Sequence, residues 1–189
     1  MNSRTQKIAA LAVMVILIAA AFYLLVLERP IKAPPEKIVL TVADLPPGWI
    51  VNSTRTYNCH NISEGYARGG EGWNCAVDNI YQNITGEETW NLWIIVFSYN
   101  SSGLAHDRYA GWSGSVETPH IHPKLGDEAI QVAVFNAAGG VDWVGYILRE
   151  ANVLISISIR NGGDIGSVEP WMDGIANLQA AKLHQNNLF

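Results

Sequence analysis

The sequence predicts an α+β protein: an N-terminal transmembrane helix, then an antiparallel sheet of about six strands packed with two helices in βββα-βββα order. Three observations predict it. Residues 8–27 carry no charge. Six later segments are rich in β-branched and aromatic residues and are bounded by turn signals. Two more segments, starting near Ser101 and Ser167, repeat apolar residues at helical spacing, and each follows three strands. Short connections within each set demand antiparallel neighbours. The helices then gather against the sheet.

The first element is IAALAVMVILIAAAFYLLVL, residues 8–27. As a helix it rises about 30 Å, the thickness of a bilayer's hydrocarbon core. Tyr23 near its end suits the interface. Ala19, Ala20 and Ala21 fit a small-x-small cleavage pattern, so removal after Ala21 competes with retention. The apolar run continues through Leu27, which favours an uncleaved signal anchor. Arg4 and Lys7 on one flank and Arg29, Lys32 and Lys37 on the other nearly balance, so flanking charge alone does not orient it. Residues 28–37, ERPIKAPPEK, hold three prolines and read as a stiff, extended linker. The chain thus divides into a tail (1–7), an anchor (8–27), a linker (28–37) and a domain (38–189).

Three features orient the anchor with its N-terminus cytoplasmic and the domain outside. Cys59 and Cys75 have no third cysteine to compete with them and would pair in an oxidising compartment. Four N-x-[ST] tripeptides begin at Asn52, Asn61, Asn83 and Asn100, against roughly 1.4 expected from composition. From Ile38 onward, seven basic residues face fifteen acidic ones. That balance disfavours nucleic acid and anionic membrane surfaces as partners of the domain.

Within the domain, Ile38, Val39, Leu40 and Val42 fit a strand or a short helical turn, stopped by Pro46-Pro47-Gly48. An extended segment follows from Trp49 to about Tyr57, then a glycine-rich loop holding both cysteines. Asn74 to Ile84 alternates polar and apolar residues, as a strand does. Thr85-Gly86-Glu87-Glu88 signals a hairpin into Thr89–Tyr99, a strand apolar on both faces and therefore covered on both. Ser101 or Ser102 caps a helix burying Leu104, Ala105, Tyr109 and Trp112, with Gly111 and Gly114 ending it early. VETPHIHPKLG reads as a loop. Strands follow over about Glu128–Phe135, Asp142–Arg149 and Asn152–Arg160. In the last, Val153, Ile155, Ile157 and Ile159 share the core face, and Ser156, Ser158 and Arg160 an open or polar-lined one. Ser167-Val168-Glu169-Pro170 starts the final helix, with Val168, Trp171 or Met172, Ile175 and Leu178 as its apolar stripe.

LTVADLPPGW at 40–49, LGDEAIQV at 125–132, REANVLISISI at 149–159 and NLQAAKL at 177–183 stand in an order that resembles small prokaryotic extracytoplasmic domains behind a lipid or signal anchor. The resemblance implies a sensor or lipoprotein module related in shape to the PsbP/Mog1-like fold. It covers about half of the domain and brings no catalytic residues.

His120-Ile121-His122, with His60 and Asp127 or Glu128, is a weak set of zinc ligands. Flanking prolines and the lack of H-E-x-x-H favour plain loop histidines, so no metal or other cofactor is expected. The cysteine spacing is far from C-x-x-C, which disfavours a poised redox dithiol. No G-x-S-x-G occurs. Asp127 and Glu128 are adjacent and point apart on a strand. Among seven tryptophans, Trp73 in the glycine-rich loop and Trp143 are the candidates for a ligand-facing indole. The pattern favours a non-enzymatic, membrane-anchored extracytoplasmic domain that binds a surface ligand, senses, or accompanies a membrane-protein partner. The alternatives are a surface metalloprotein or hydrolase using His120 and His122, and a glycosylated structural component of the envelope.

Overall fold

The computed structural model describes residues 11–21, 30–57, 72–85, 88–114, 120–121, 125–135, 141–160 and 169–187. Residues 11–21 form helix α1. The domain comprises α2 (Pro35–Ile38), a 3-10 turn η1 (Val42–Asp44), β1 (Trp49–Tyr57), β2 (Trp73–Thr85), β3 (Glu88–Tyr99), α3 (Ser102–Ser113), β4 (His120–Ile121), β5 (Glu128–Phe135), β6 (Val141–Glu150), β7 (Val153–Arg160) and α4 (Glu169–Asn187). All neighbouring strands are antiparallel, in the order β1-β2-β3-β7-β6-β5-β4. The expected α+β class and strand-helix order hold. The loop expected around VETPHIHPKLG contributes one addition, since His120–Ile121 pairs with β5 as a short edge strand.

The two apolar faces of β3 explain the layering. Leu92, Ile94 and Val96 join Val77, Ile155, Ile157, Met172, Ile175 and Leu183 in the larger core, under α4. Ile95 and Phe97 join Ile130, Ile147, Leu154, Ala105 and Tyr109 in the smaller core, under α3. The sheet is a middle layer with one long helix on each face.

Ser101 caps α3, its hydroxyl accepting the Leu104 N–H at 3.3 Å. Ala105 and Tyr109 are buried as expected, and Trp112 is half-buried. Leu104 is instead 37% exposed. Gly111 does not end the helix, which runs on to Ser113 with Gly114 as its C-cap. In α4, Leu178 is likewise exposed at 44%, and Gln179 beside it is completely buried. The helix is rotated so that Gln179 faces the N-terminal segment, and this has a reason in hydrogen bonding. Its Nε2 donates to the Ile38 carbonyl at 2.8 Å, and its Oε1 accepts the Leu40 N–H at 3.0 Å. One amide thus serves both groups of a backbone stretch that no strand pairs with.

The proline-rich stretch is not a free spacer along its length. Ile31 is 4% exposed, and Ile38, Val39 and Leu40 are buried at 2% or less. The Ile31 N–H donates to Asn152 Oδ1 at 2.6 Å, and Asn152 Nδ2 donates to the Tyr99 carbonyl at 2.9 Å. The Tyr81 hydroxyl donates to the Leu40 carbonyl. Asp44 accepts from the Thr41 N–H at 2.7 Å and from Lys182 of α4. The packed domain therefore begins at Ile31, before the expected boundary at 38. The strand-or-turn alternative for 38–42 resolves as α2 and η1.

Two glycines are required by the chain path. Gly48 has φ +100°, and a Cβ there would come within 3.1 Å of the Asn83 amide. It makes the Pro-Pro-Gly turn that launches β1. Gly145 lies mid-strand where a Cβ would collide with the Ile157 carbonyl oxygen of β7.

Among the described residues, no helix is long and apolar enough to cross a membrane. Within α1, Leu11, Ile16, Leu17 and Ile18 are 63–66% exposed, so the helix shows apolar side chains to its surroundings.

Candidate functional site

Strand direction sorts the polar residues to two ends of the sheet. β3 ends, β6 ends and β7 begins beside the Ile31 docking point, with Asn152 at the β6–β7 turn. The opposite end holds the beginnings of β1, β3 and β6 and the end of β7.

At the docking end, the LGDEA and REAN segments meet. Glu128 of β5 is in register with Arg149 of β6. The Arg149 Nε donates to Glu128, and its guanidinium donates to the Ala151 carbonyl at 2.8 Å. Asp127 accepts the Ala151 N–H at 2.8 Å. Ala151 is held between them at φ 48°, an unusual angle for a residue with a Cβ. His106 of α3 lies 3.0 Å from Glu128. Burial works to raise the Glu128 carboxyl, but hydrogen bonds from His106 and Arg149, with the Arg149 charge, hold it below its usual value. These carboxylates are thus engaged in fixing the hairpin. Beside them opens a cleft of about 620 Å³ lined by Gly126, Asp127, Glu150, Asn177, Ala181 and His184. His184 Nδ1 lies 3.4 Å from the buried Glu150 carboxylate.

Towards the other end, the sheet face that lies under α3 changes from apolar to small and polar side chains. The smaller core under α3 includes Phe97, Ile147 and Leu154. Further along the same strands, Ser156 and Ser158 are half-buried, Trp93 is half-buried and Arg160 is exposed. Gly145 stands in register with Ser158, so two neighbouring strands present almost no side-chain bulk there. We call this stretch of small side chains, bounded by Trp93 and Arg160, the trough. Trp93 borders it, with the Arg160 guanidinium 5.3 Å from the ring centroid, in cation–π range. Asp78 of β2 lies in register with Ile95 of β3 and is 8% exposed. Hydroxyls, an indole face and a guanidinium suit binding of a small polar ligand. The trough arranges no nucleophile–base pair among the described residues.

Trp73 corrects the expectation of exposure: it is 5% exposed and packs edge-on against Tyr57 and Phe97, at 6.3 and 6.2 Å. Being at the start of β2 rather than in the loop, it belongs to the smaller core. Trp143 is in register with Arg160, and its side chain lies outside the described residues. Cys75 on β2 is disulfide-bonded; Cys59 lies outside the described residues. Asn52 and Asn100 are exposed, Asn83 is half-buried, and Asn61 lies outside the described residues. His60 and His122 lie outside them as well, and of His120 only the backbone pairing with Gln131 is described. Among the described residues, no three His, Cys, Asp or Glu side chains are grouped to hold a metal ion. Trp93 carries no distinguishing sequence signal, because its neighbours in Thr89–Tyr99 read as pure core. Its pairing with Ser158 puts it on the face that the alternation of β7 marks as polar, a register that only the structure gives.

The fold is similar to that of the extracellular domain of PknH from Mycobacterium tuberculosis, with a TM-score of 0.55 over 83% of this chain and 98% of that one. The two sequences are 12% identical, so the likeness is one of fold. No protein-family model matches the chain, and no curated protein does.

Proposed function

We propose that this chain is a single-pass, membrane-anchored extracytoplasmic domain that binds a small polar ligand or senses a surface state, without catalysing a reaction. Residues 8–27 cross the bilayer with residues 1–7 in the cytoplasm. The observation that carries this reading is α1, whose described part is helical and exposes large apolar side chains. Such a helix is stable in lipid and poorly so in water. Two further observations support it: a disulfide at Cys75, which suits an oxidising compartment, and the fold likeness to an extracellular domain. We assign the Cys75 bond to Cys59, the chain's other cysteine. The trough beside Trp93, Ser156, Ser158 and Arg160 is the ligand site.

The test is alkylation and protease access in sealed vesicles of known sidedness. On the proposal, protease outside removes the domain, and both cysteines alkylate only after reduction. Protection of the domain, or free alkylation without reductant, refutes the placement. Loss of ligand stabilisation in Trp93→Ala then tests the trough.

A second reading has its own observation. β1 is a nine-residue edge strand, and Ile50 and Val51 on it are 56% and 52% exposed. An edge of this kind pairs with other strands unless it is blunted. Concentration-dependent oligomers abolished by Val51→Lys would favour an assembling envelope component.

A further inference from the structure

From the docked N-terminal segment we infer that the domain stands on the bilayer in one orientation, with the β6–β7 turn towards the lipid and the trough away from it. This rests on the anchor reading above. Between Leu27 and Ile31 stand Glu28, Arg29 and Pro30. Four backbone steps reach at most about 14 Å. Ile31 is fixed, not swinging: it is buried, and its N–H is bonded to Asn152 in the β6–β7 turn. The segment beyond it is held by Gln179 through Ile38 and Leu40, and by Tyr81 through Leu40. The leash that would let the domain tumble is therefore consumed by the domain itself.

The surface meeting the bilayer is the end formed by the β6–β7 turn, the end of β3 and the C-terminal turn of α4. His184 of α4 lies beside Glu150 there. The cleft containing Asp127, Glu150 and His184 opens at headgroup level. Arg160 is seven residues along β7 from Val153, so it stands about 20 Å further out. A ligand arriving from outside meets the trough first, and a membrane partner meets the cleft.

The test uses the full-length protein in phosphatidylcholine vesicles containing a headgroup-quencher lipid. Gln185→Cys, exposed near the end of α4, and Ile84→Cys, 62% exposed at the far end of β2, are each labelled with a thiol dye without reductant. Quenching at least twofold stronger at 185 than at 84 is expected. Ten glycine and serine residues inserted after Arg29 leave the packed domain untouched and should bring the two positions together. Equal or reversed quenching without the insertion overturns the inference. Unequal quenching that survives the insertion overturns the short leash as its cause. An alkaline carbonate wash run in parallel separates the two readings. Protein that stays with the vesicles yet shows equal quenching defeats the orientation alone. Protein that washes off defeats the anchor, and the orientation with it.

Discussion

Gln179→Met keeps most of the side chain's volume and removes both of its hydrogen bonds. The Leu40 N–H and Ile38 carbonyl are buried with the segment they belong to, and Gln179 is itself completely buried. Each orphaned buried group costs about 1–3 kcal/mol, so the pair should cost roughly 4 kcal/mol. Domains of this size are stable by about 5–15 kcal/mol, so the loss would be a large share of the total. The assay is urea unfolding of the full chain in detergent, followed by tryptophan fluorescence. With a urea slope near 2 kcal/mol/M, the midpoint should fall by about 2 M. Gln185→Ala, on the exposed face of the same helix, should stay within about 0.5 kcal/mol of the unmodified chain. If Gln179→Met shifted the midpoint no more than Gln185→Ala does, the Gln179 amide would not be what holds the N-terminal segment, and that segment would not fix the domain on the bilayer.

Acid should weaken the domain through Glu128 and Asp44. Both carboxyls are held below their usual values of 4.5 and 3.8 despite opposing burial, so their contribution is present above those values and lost as pH falls through the lowered ones. Glu128→Gln should flatten the fall in melting temperature between pH 5 and pH 3, measured by differential scanning fluorimetry. Gly145→Ala should lower stability by about 3 kcal/mol or prevent folding, because the added carbon meets backbone of β7. Gly111→Ala, with nothing within 4 Å, should instead raise stability by about 0.5–1 kcal/mol on thermal melting. In an N-glycosylating host, glycopeptide mapping should find Asn52 and Asn100 modified and the half-buried Asn83 bare.

The strands and long helices were legible because their signals are local. Period-two alternation from Val153 to Arg160 assigned both faces of β7, and the doubly apolar run from Thr89 to Tyr99 marked β3 as covered twice. Register was not legible. Nothing local says that Trp93 stands opposite Ser158, and that pairing is what makes it part of the trough rather than the core. Helical periodicity named Leu178 as buried because it is the more apolar of two neighbours. Gln179 takes the position because an unpaired backbone stretch 139 residues away needs an amide, a demand visible only in three dimensions. The glycines before Trp73 suggest a loop, but their flexibility says nothing about the strand beginning at that residue. The prolines of residues 28–37 suggest an extended spacer, but Pro35–Ile38 are helical and Ile31 is packed, because proline content does not tell whether a segment is solvated or buried.

The docking of Ile31–Leu40 also constrains the order in which the protein can fold. Its partners are Asn152 and Gln179, 121 and 139 residues downstream. A chain made from its N-terminus exposes this apolar stretch early and supplies the groups that satisfy it nearly last. Closing contacts of such sequence separation is slow. The newly made chain must therefore keep Ile38, Val39 and Leu40 uncovered until α4 has emerged. A chain cut short before Gln179 would leave them bare for good, and a quality-control protease or holdase would find its signal at the very first residues of the domain.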